Sequence, residues 1–133
     1  MNRVKIFTDG GARGNPGNSA CAFVVYREEK VEFEKAVYLG ITTNNVAEYS
    51  AVEEAIKWSA GNHIQSADFY LDSELVVKQM RGEYKIKDKK LKILYDNIQF
   101  QISNSKLQIY WYHVPRSQNK RADFLVNQEL DKH

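Results

Sequence analysis

The chain opens on a period of two. Val4, Ile6 and Thr8 alternate with Lys5, Phe7 and Asp9, the spacing of a strand. Gly10, Gly11, Gly14 and Gly17, with Pro16, are breakers, so the strand is expected to end at Asp9 and open into a glycine-rich loop. Ser19 to Arg27 is an apolar, β-rich run. In Val31 to Gly40, Val31 and Phe33 alternate with Glu32 and Glu34. The short link Glu28-Glu29-Lys30 suits a hairpin. A three-stranded antiparallel meander is therefore expected over the first forty residues.

The period then changes to that of a helix. Asn45 followed by Glu48 reads as a capping-box start, and Gly61 as a stop. At 100° per residue, Val52, Ala55, Ile56 and Ser59 fall within about 80° of Glu48. Glu53, Glu54 and Lys57 lie opposite. Glu48 thus sits in the first turn on the buried face, where an uncompensated charge is costly.

Ala67 to Leu71 predicts a short strand ending on Asp72, followed by a helix capped by Ser73. Asp88 to Ser103 has helical spacing through Leu91, Ile93, Leu94, Ile98 and Ile102. Leu107 to Val114 predicts a fifth strand. A last helix, capped by Ser117 or Asn119, carries Asp123 in its first turn, where the helix dipole favours an anion. The order is βββαβααβα. A right-handed strand–helix–strand crossover makes strand four parallel to strand one. The expected class is α/β, a five-stranded mixed sheet flanked by helices, with strands one to three antiparallel and strands one, four and five parallel. One domain spans residues 1–133.

Composition narrows the function classes. Of 133 residues, 43% are hydrophobic and 27% charged, an ordinary globular balance. The single cysteine, Cys21, lies in an apolar run and reads as a core thiol. No 7–15-residue apolar stretch follows Met1-Asn2-Arg3, and no run approaches the ~20 residues of a membrane span. A cytoplasmic, monomeric protein with no membrane partner is expected. Net charge is only +2, but Lys78, Arg81, Lys85, Lys87, Lys89, Lys90 and Lys92 cluster against Glu83 and Asp88. Such a patch suits a polyanion as well as a solvated face.

Asp9, Glu48, Asp72 and Asp123 each fall at an element's end or first turn, outside the surface charge runs. On neighbouring parallel strands, Asp9 and Asp72 would be about 5 Å apart. Like charges that close resist joint ionisation unless a cation lies between them. Carboxylates without thiolates are hard ligands suited to Mg²⁺ or Mn²⁺. Two such ions serve in-line attack on a phosphodiester. Sequence spacing alone leaves convergence of the four open.

Four stretches, Thr8-Asp9-Gly10-Gly11 through Gly14-Asn15-Pro16-Gly17, Thr43-Asn44-Asn45-Val46-Ala47-Glu48, Leu71-Asp72-Ser73 and Asn119-Lys120-Arg121-Ala122-Asp123, occur in this order across nearly the whole chain. In them the chain resembles a type 1 ribonuclease H. The resemblance implies a ribonuclease H-like fold. It implies an endonuclease that hydrolyses the RNA strand of an RNA–DNA hybrid to 5′-phosphate and 3′-hydroxyl ends. Two Mg²⁺ ions would act with substrate, Mn²⁺ being a possible replacement. Asp9 would bridge both ions, Asp123 would serve the ion that activates water, and Glu48 and Asp72 the ion on the leaving-group side. Substrate contacts are implied for Gly10, Gly11, Arg13, Asn15, Asn44 and Asn45, with turn formation and helix capping as the alternative tasks of the asparagines. An RNA–RNA duplex is a second candidate substrate.

The chain departs from the family pattern in three places. Better known bacterial members carry an extra helix and basic loop between the middle helices; here only Arg81 to Lys87 joins them, as in the compact, archaeal-type branch. Lys85, Lys87, Lys89 and Lys90 are expected to offset the loss in part. Family members also carry a catalytic histidine on the loop before the last helix. Here that loop is Val114-Pro115-Arg116-Ser117-Gln118-Asn119, and Arg116, a permanent cation, is preferred over His113 as the substitute. Glu74 stands where some members place a substrate-contacting glutamine, and reads as a first-turn acid. His63 and His133 read as surface residues. The alternative to an enzyme is a nucleic-acid-binding module of the same fold. A dinucleotide or P-loop protein is excluded, because Gly10-Gly11-Ala12-Arg13-Gly14 matches neither motif.

Overall fold

A computed structural model describes residues 2–133. The elements are β1 (Arg3–Arg13), β2 (Gly17–Arg27), β3 (Lys30–Thr42), α1 (Asn44–Gly61), β4 (Ser66–Leu71), α2 (Glu74–Met80), α3 (Lys89–Ser105), β5 (Gln108–His113) and α4 (Lys120–Leu130), with a 3₁₀ turn at Arg116–Gln118 before α4. One sheet has the order β3-β2-β1-β4-β5. β1 pairs antiparallel with β2 and parallel with β4, and β4 pairs parallel with β5. This is the mixed sheet the sequence pattern predicts.

The continuous apolar run of β2 has a simple cause: both its faces are covered. Phe23 and Val25 join Val4, Ile6, Val52, Ile56, Phe69, Leu91 and Ile98 in the larger core. Ala20, Ala22 and Val24 meet Ala122, Leu125, Val126 and Leu130 of α4 in a smaller cluster on the opposite face. Strands buried on both faces read as unbroken hydrophobic runs. Cys21 is buried in the same stretch, as expected. Glu28 and Glu29 both take positive φ (51° and 66°), as a two-residue hairpin loop with strand-matching twist requires.

Three local expectations are corrected. β1 does not end at Asp9. It continues through Gly10, Gly11 and Ala12 to Arg13, paired with Cys21, Ala20, Ser19 and Asn18. The turn lies later, at Gly14 (φ +94°) and Pro16. Glycine weakens a strand, but a continuous partner strand outweighs that preference. The cap of α1 is Thr43, not Asn45: its hydroxyl accepts from Val46 N at 3.2 Å. On α3, Ile93 is 70% exposed, and the inner face is formed by Leu91 and Ile98 with Leu94 and Ile102 half-buried. Ser73 caps α2 as expected, accepting from Val76 N. Asp88 caps α3 by accepting from Leu91 N.

Candidate active site

The site forms where the parallel pairing of β1 with β4 stops. β1 and β4 run in register from Arg3–Ser66 to Phe7–Tyr70, so Asp9 and Asp72 leave the ladder side by side. In open α/β sheets the carboxyl ends of the strands are where ligands bind. α1 brings the third acid. Gly10 faces its first turns so closely that a Cβ there would lie 2.3 Å from the Ala47 carbonyl carbon and 2.5 Å from Glu48 N. Only hydrogen fits. The absence of a side chain at residue 10 lets α1 seat Glu48 beside Asp9.

Asp9, Glu48 and Asp72 offer carboxylate oxygens that all lie within 4.8 Å of one another. Asp123, on the first turn of α4, lies outside that tight triad. It lines the same cleft of about 660 Å³, together with Asp9, Gly10, Gly11, Arg13, Asn44, Asn45, Glu48, Asp72 and Arg116. Burial pushes the Asp9 carboxyl up to about 8, with further repulsion from Asp72, Asp123 and Glu48, partly opposed by the Gly10 amide. Burial and Asp72 push Glu48 up to about 7, against the Ser73 hydroxyl and the Arg116 cation. Such crowding is unfavourable for the protein alone and is relieved by a cation. Clustered oxygen donors of this kind fit a hard divalent ion.

Arg116 opens the 3₁₀ turn and reaches the cleft. His113 does not line it. It is exposed at the end of β5, with Nδ1 4.0 Å from Glu74 Oε2. Glu74 sits in the first turn of α2 and pairs with Lys78 at 3.0 Å. His63 and His133 are exposed, the latter stacked on Tyr38.

The asparagines form a relay. Asn15 Oδ1 accepts from Asn44 N at 3.1 Å, and Asn44 Oδ1 accepts from Ala12 N at 2.7 Å. The turn after β1 is thereby tied to the start of α1. Asn45 is exposed at the rim. A second recess of about 370 Å³ continues from it, lined by Asn15, Thr43, Asn44, Asn45, Asp88 and Lys90. Arg13 is engaged elsewhere, 2.7 Å from Asp131 and bonded to Asn127. Lys85 and Lys87 are exposed on the segment 81–88, whereas Lys90 lines the second recess.

Two residues named from the sequence have roles that escape it. Gly10 looks like a loop glycine and is instead a contact glycine. Asn119 looks like a helix cap. It occupies the cap position without a side-chain cap bond, and its Nδ2 instead donates to Thr8 O (2.9 Å) and Asp72 Oδ2 (3.1 Å). No periodicity marks either residue.

A mixed sheet of this order, with Asp9 and Asp72 where the β1–β4 pairing ends and Glu48 brought beside them by α1, defines an α/β protein whose clustered carboxylates suit a divalent cation. The sequence profile of the RNase H family matches residues 1–131. The bifunctional protein Rv2228c of Mycobacterium tuberculosis is 38% identical over 135 residues, 97% of this chain; the chain spans only about a third, 36%, of that protein's length. LC11-RNase H1, solved in complex with an RNA/DNA hybrid, superposes with a TM-score of 0.92 at 38% identity, covering 97% of both chains. RNase H1 of the halophilic archaeon Halobacterium salinarum superposes at 0.93 with 32% identity, covering 98% of this chain and 99% of its own. The chain belongs to the RNase H family. As expected from the sequence, no extra helix stands among the described residues between the middle helices: only residues 81–88 separate α2 from α3.

Proposed function

We propose that this protein is a metal-dependent nuclease that hydrolyses the RNA strand of RNA–DNA hybrids. The observation that carries the reading is the convergence of Asp9, Glu48 and Asp72 within 4.8 Å, in a cleft shared with Asp123 and Arg116. Family membership and the hybrid-bound relative support the substrate.

Asp9, repelled by all three of the other acids, would be shared between two ions, with Glu48 and Asp72 holding the one that stabilises the leaving group and Asp123 the one that activates water. Two bound Mg²⁺ or Mn²⁺ ions would supply a lowered pKa for the attacking water and charge stabilisation at the phosphorus and leaving oxygens. Water oxygen bonds to phosphorus as the P–O3′ bond breaks; the water's proton passes to bulk solvent and the departing 3′ oxygen takes one from solvent, so the products carry a 5′-phosphate and a 3′-hydroxyl. Arg116 holds a non-bridging phosphate oxygen by charge-assisted hydrogen bonds; it keeps its own proton and takes none from water. Gly10, Gly11, Asn15, Asn44 and Asn45 face the minor groove, where 2′-hydroxyls distinguish RNA. Arg13 contributes once released from Asp131. Lys85, Lys87 and Lys90 bind phosphates along the strand as it leaves the cleft. The protein acts as a monomer.

The test uses matched RNA–DNA, RNA–RNA and DNA–DNA duplexes with Mg²⁺, Mn²⁺ or chelator. Metal-dependent cutting of the hybrid is expected, with Asp9→Asn losing on the order of 10³-fold or more in kcat. Binding without cutting in either metal would identify a nucleic-acid-binding module instead.

A further inference from the structure

An asparagine at a helix N-cap ordinarily turns its side-chain oxygen onto the first-turn amides, a bond worth about 1 kcal/mol. Asn119 forgoes it. The residue is 1% exposed and begins α4 with no side-chain cap bond. Its Oδ1 is buried and has no partner among the described residues. Both favourable contacts are made from the other end of the amide. Nδ2 has two hydrogens, and two acceptors lie within reach: Thr8 O at 2.9 Å and Asp72 Oδ2 at 3.1 Å.

The topology explains the first. The β1–β4 ladder ends at Phe7–Tyr70, so Thr8, though still paired with Phe23 of β2, lies one residue beyond the last β4 pair. A buried carbonyl needs a donor, and Asn119 supplies it. The second contact is different in kind. Asp72 stands past the end of β4, on the bend between strand and α2. A carboxylate there is free to rotate about two side-chain torsions. With Oδ2 held by a neutral donor, rotation stops and the other oxygen is left for the cluster. A neutral donor also orients the acid without cancelling the negative charge that draws a cation.

We propose that Asn119 is a positioning residue for Asp72: the side-chain amide clamps one carboxylate oxygen against the end of β1, fixing the other in the geometry a divalent cation needs, at the cost of the α4 cap. The inference rests on the metal-site reading above. It also joins the 3₁₀ turn that carries Arg116 to the acidic cluster, because Asn119 is the residue that follows that turn. Partners behind the direct ligands typically change metal affinity or activity by about 10–100-fold when removed.

Asn119→Ser separates the two roles. Serine caps helices well but is too short to reach Asp72. The measurements are Mg²⁺ affinity of the substrate-free protein by calorimetry, kcat and KM on a hybrid over a range of Mg²⁺, and thermal stability. Expected is a Mg²⁺ affinity about 10–100-fold weaker, an unchanged KM for hybrid, and a kcat that falls at limiting Mg²⁺ and recovers at high Mg²⁺. The same change in an Asp72→Asn background is expected to cost no further affinity, since the clamp then has no carboxylate to orient. Unchanged Mg²⁺ affinity, or an equal loss in the Asp72→Asn background, overturns the proposal. Should Asn119→Ser fail to fold, the wild-type side-chain amide decides. Both Nδ2 protons are expected to resist exchange and to shift in NMR spectra on adding Mg²⁺; a freely exchanging or unmoved amide overturns it. Wild-type protein that binds no Mg²⁺ would defeat the metal-site reading itself, while exchange of the Asn119 amide in that protein would still report whether the clamp exists.

Discussion

β1 and β4 carry a carboxylate problem at both ends and solve it oppositely. At their amino ends Asp68 is 7% exposed, and Arg3 reaches across with Nη2 2.8 Å from Oδ1 and Nε 3.2 Å from Oδ2. Tyr110 lies beside the guanidinium. One acid meets one base in a forked geometry. At the carboxyl ends, about six residues further along β1, three acids crowd together. Arg116, on the cleft wall, moderates Glu48 from an exposed position. A buried charge is tolerated when paired. The amino-terminal end obeys that rule and needs no function to explain it. The carboxyl-terminal end breaks it, and the excess negative charge is what a divalent cation would neutralise.

The sharpest way to break the contrast is to remove a charge from the crowded end. The Asp9 and Glu48 carboxyls keep their protons to higher pH in the folded state than in the unfolded chain. The folded state therefore binds more protons between about pH 4 and pH 8, and metal-free stability falls as pH rises through that window. A tenfold change in a carboxyl's proton affinity corresponds to about 1.4 kcal/mol. Spread over several acids and counter-ions, the relief from Asp9→Asn at pH 8 is expected at about 3 kcal/mol, shrinking toward zero near pH 4. Denaturant unfolding in chelator at pH 5 and pH 8 measures this; parallel profiles for wild type and Asp9→Asn would show that the end is not charge-strained.

A smaller effect is expected from the cleft's own cation. Arg116→Ala should lower kcat by about 10–100-fold with stability little changed. His113→Ala should leave kcat near wild type, since that ring lies against Glu74 outside the cleft. Single-turnover kinetics on a hybrid decide between them, and a loss confined to the histidine variant reverses the assignment.

The smallest change belongs to the satisfied end. Arg3→Ala strands the Asp68 carboxylate and should lower the melting temperature by a few degrees while sparing cleavage by the folded protein. A marked loss of activity at temperatures where the variant is folded would mean that the two ends communicate.

Much of this was legible in the sequence, for definite reasons. Two-residue and helical periods are imposed by burial, so the element order and the sheet follow from apolar positions. Asp72 could be placed because it follows a short apolar strand run, and Asp9 because it follows the alternating run Val4 to Thr8, although β1 itself continues past it. Glu48 could be placed because its helical angle matches Val52 and Ile56. What stayed hidden depends on contacts between distant segments. Gly10 and Gly11 read as breakers because nothing local announces that β2 will pair with them. Thr43 and Asn45 are both good caps, and only tertiary packing chooses between them. Ile93 fits an apolar stripe, yet α3 presents it to solvent. Asp123 belongs to the cleft but stands off from the triad, a distance no spacing rule supplies. Asn119 carries a side chain that serves two jobs equally well by composition, and its neighbours decide which.

Gly10 has one more implication. Its missing side chain works as a spacer gauge for the whole acidic centre. The first turn of α1 rests directly on the backbone of β1, so the gap between Glu48 and Asp9 is fixed by contact between main chains, and no flexible side chain can yield to absorb an error. A single methyl group at this position would lift one wall of the centre by an ångström-scale step, comparable to the difference between the radii of coordination shells. The precision of the site is thus set by the smallest residue in it.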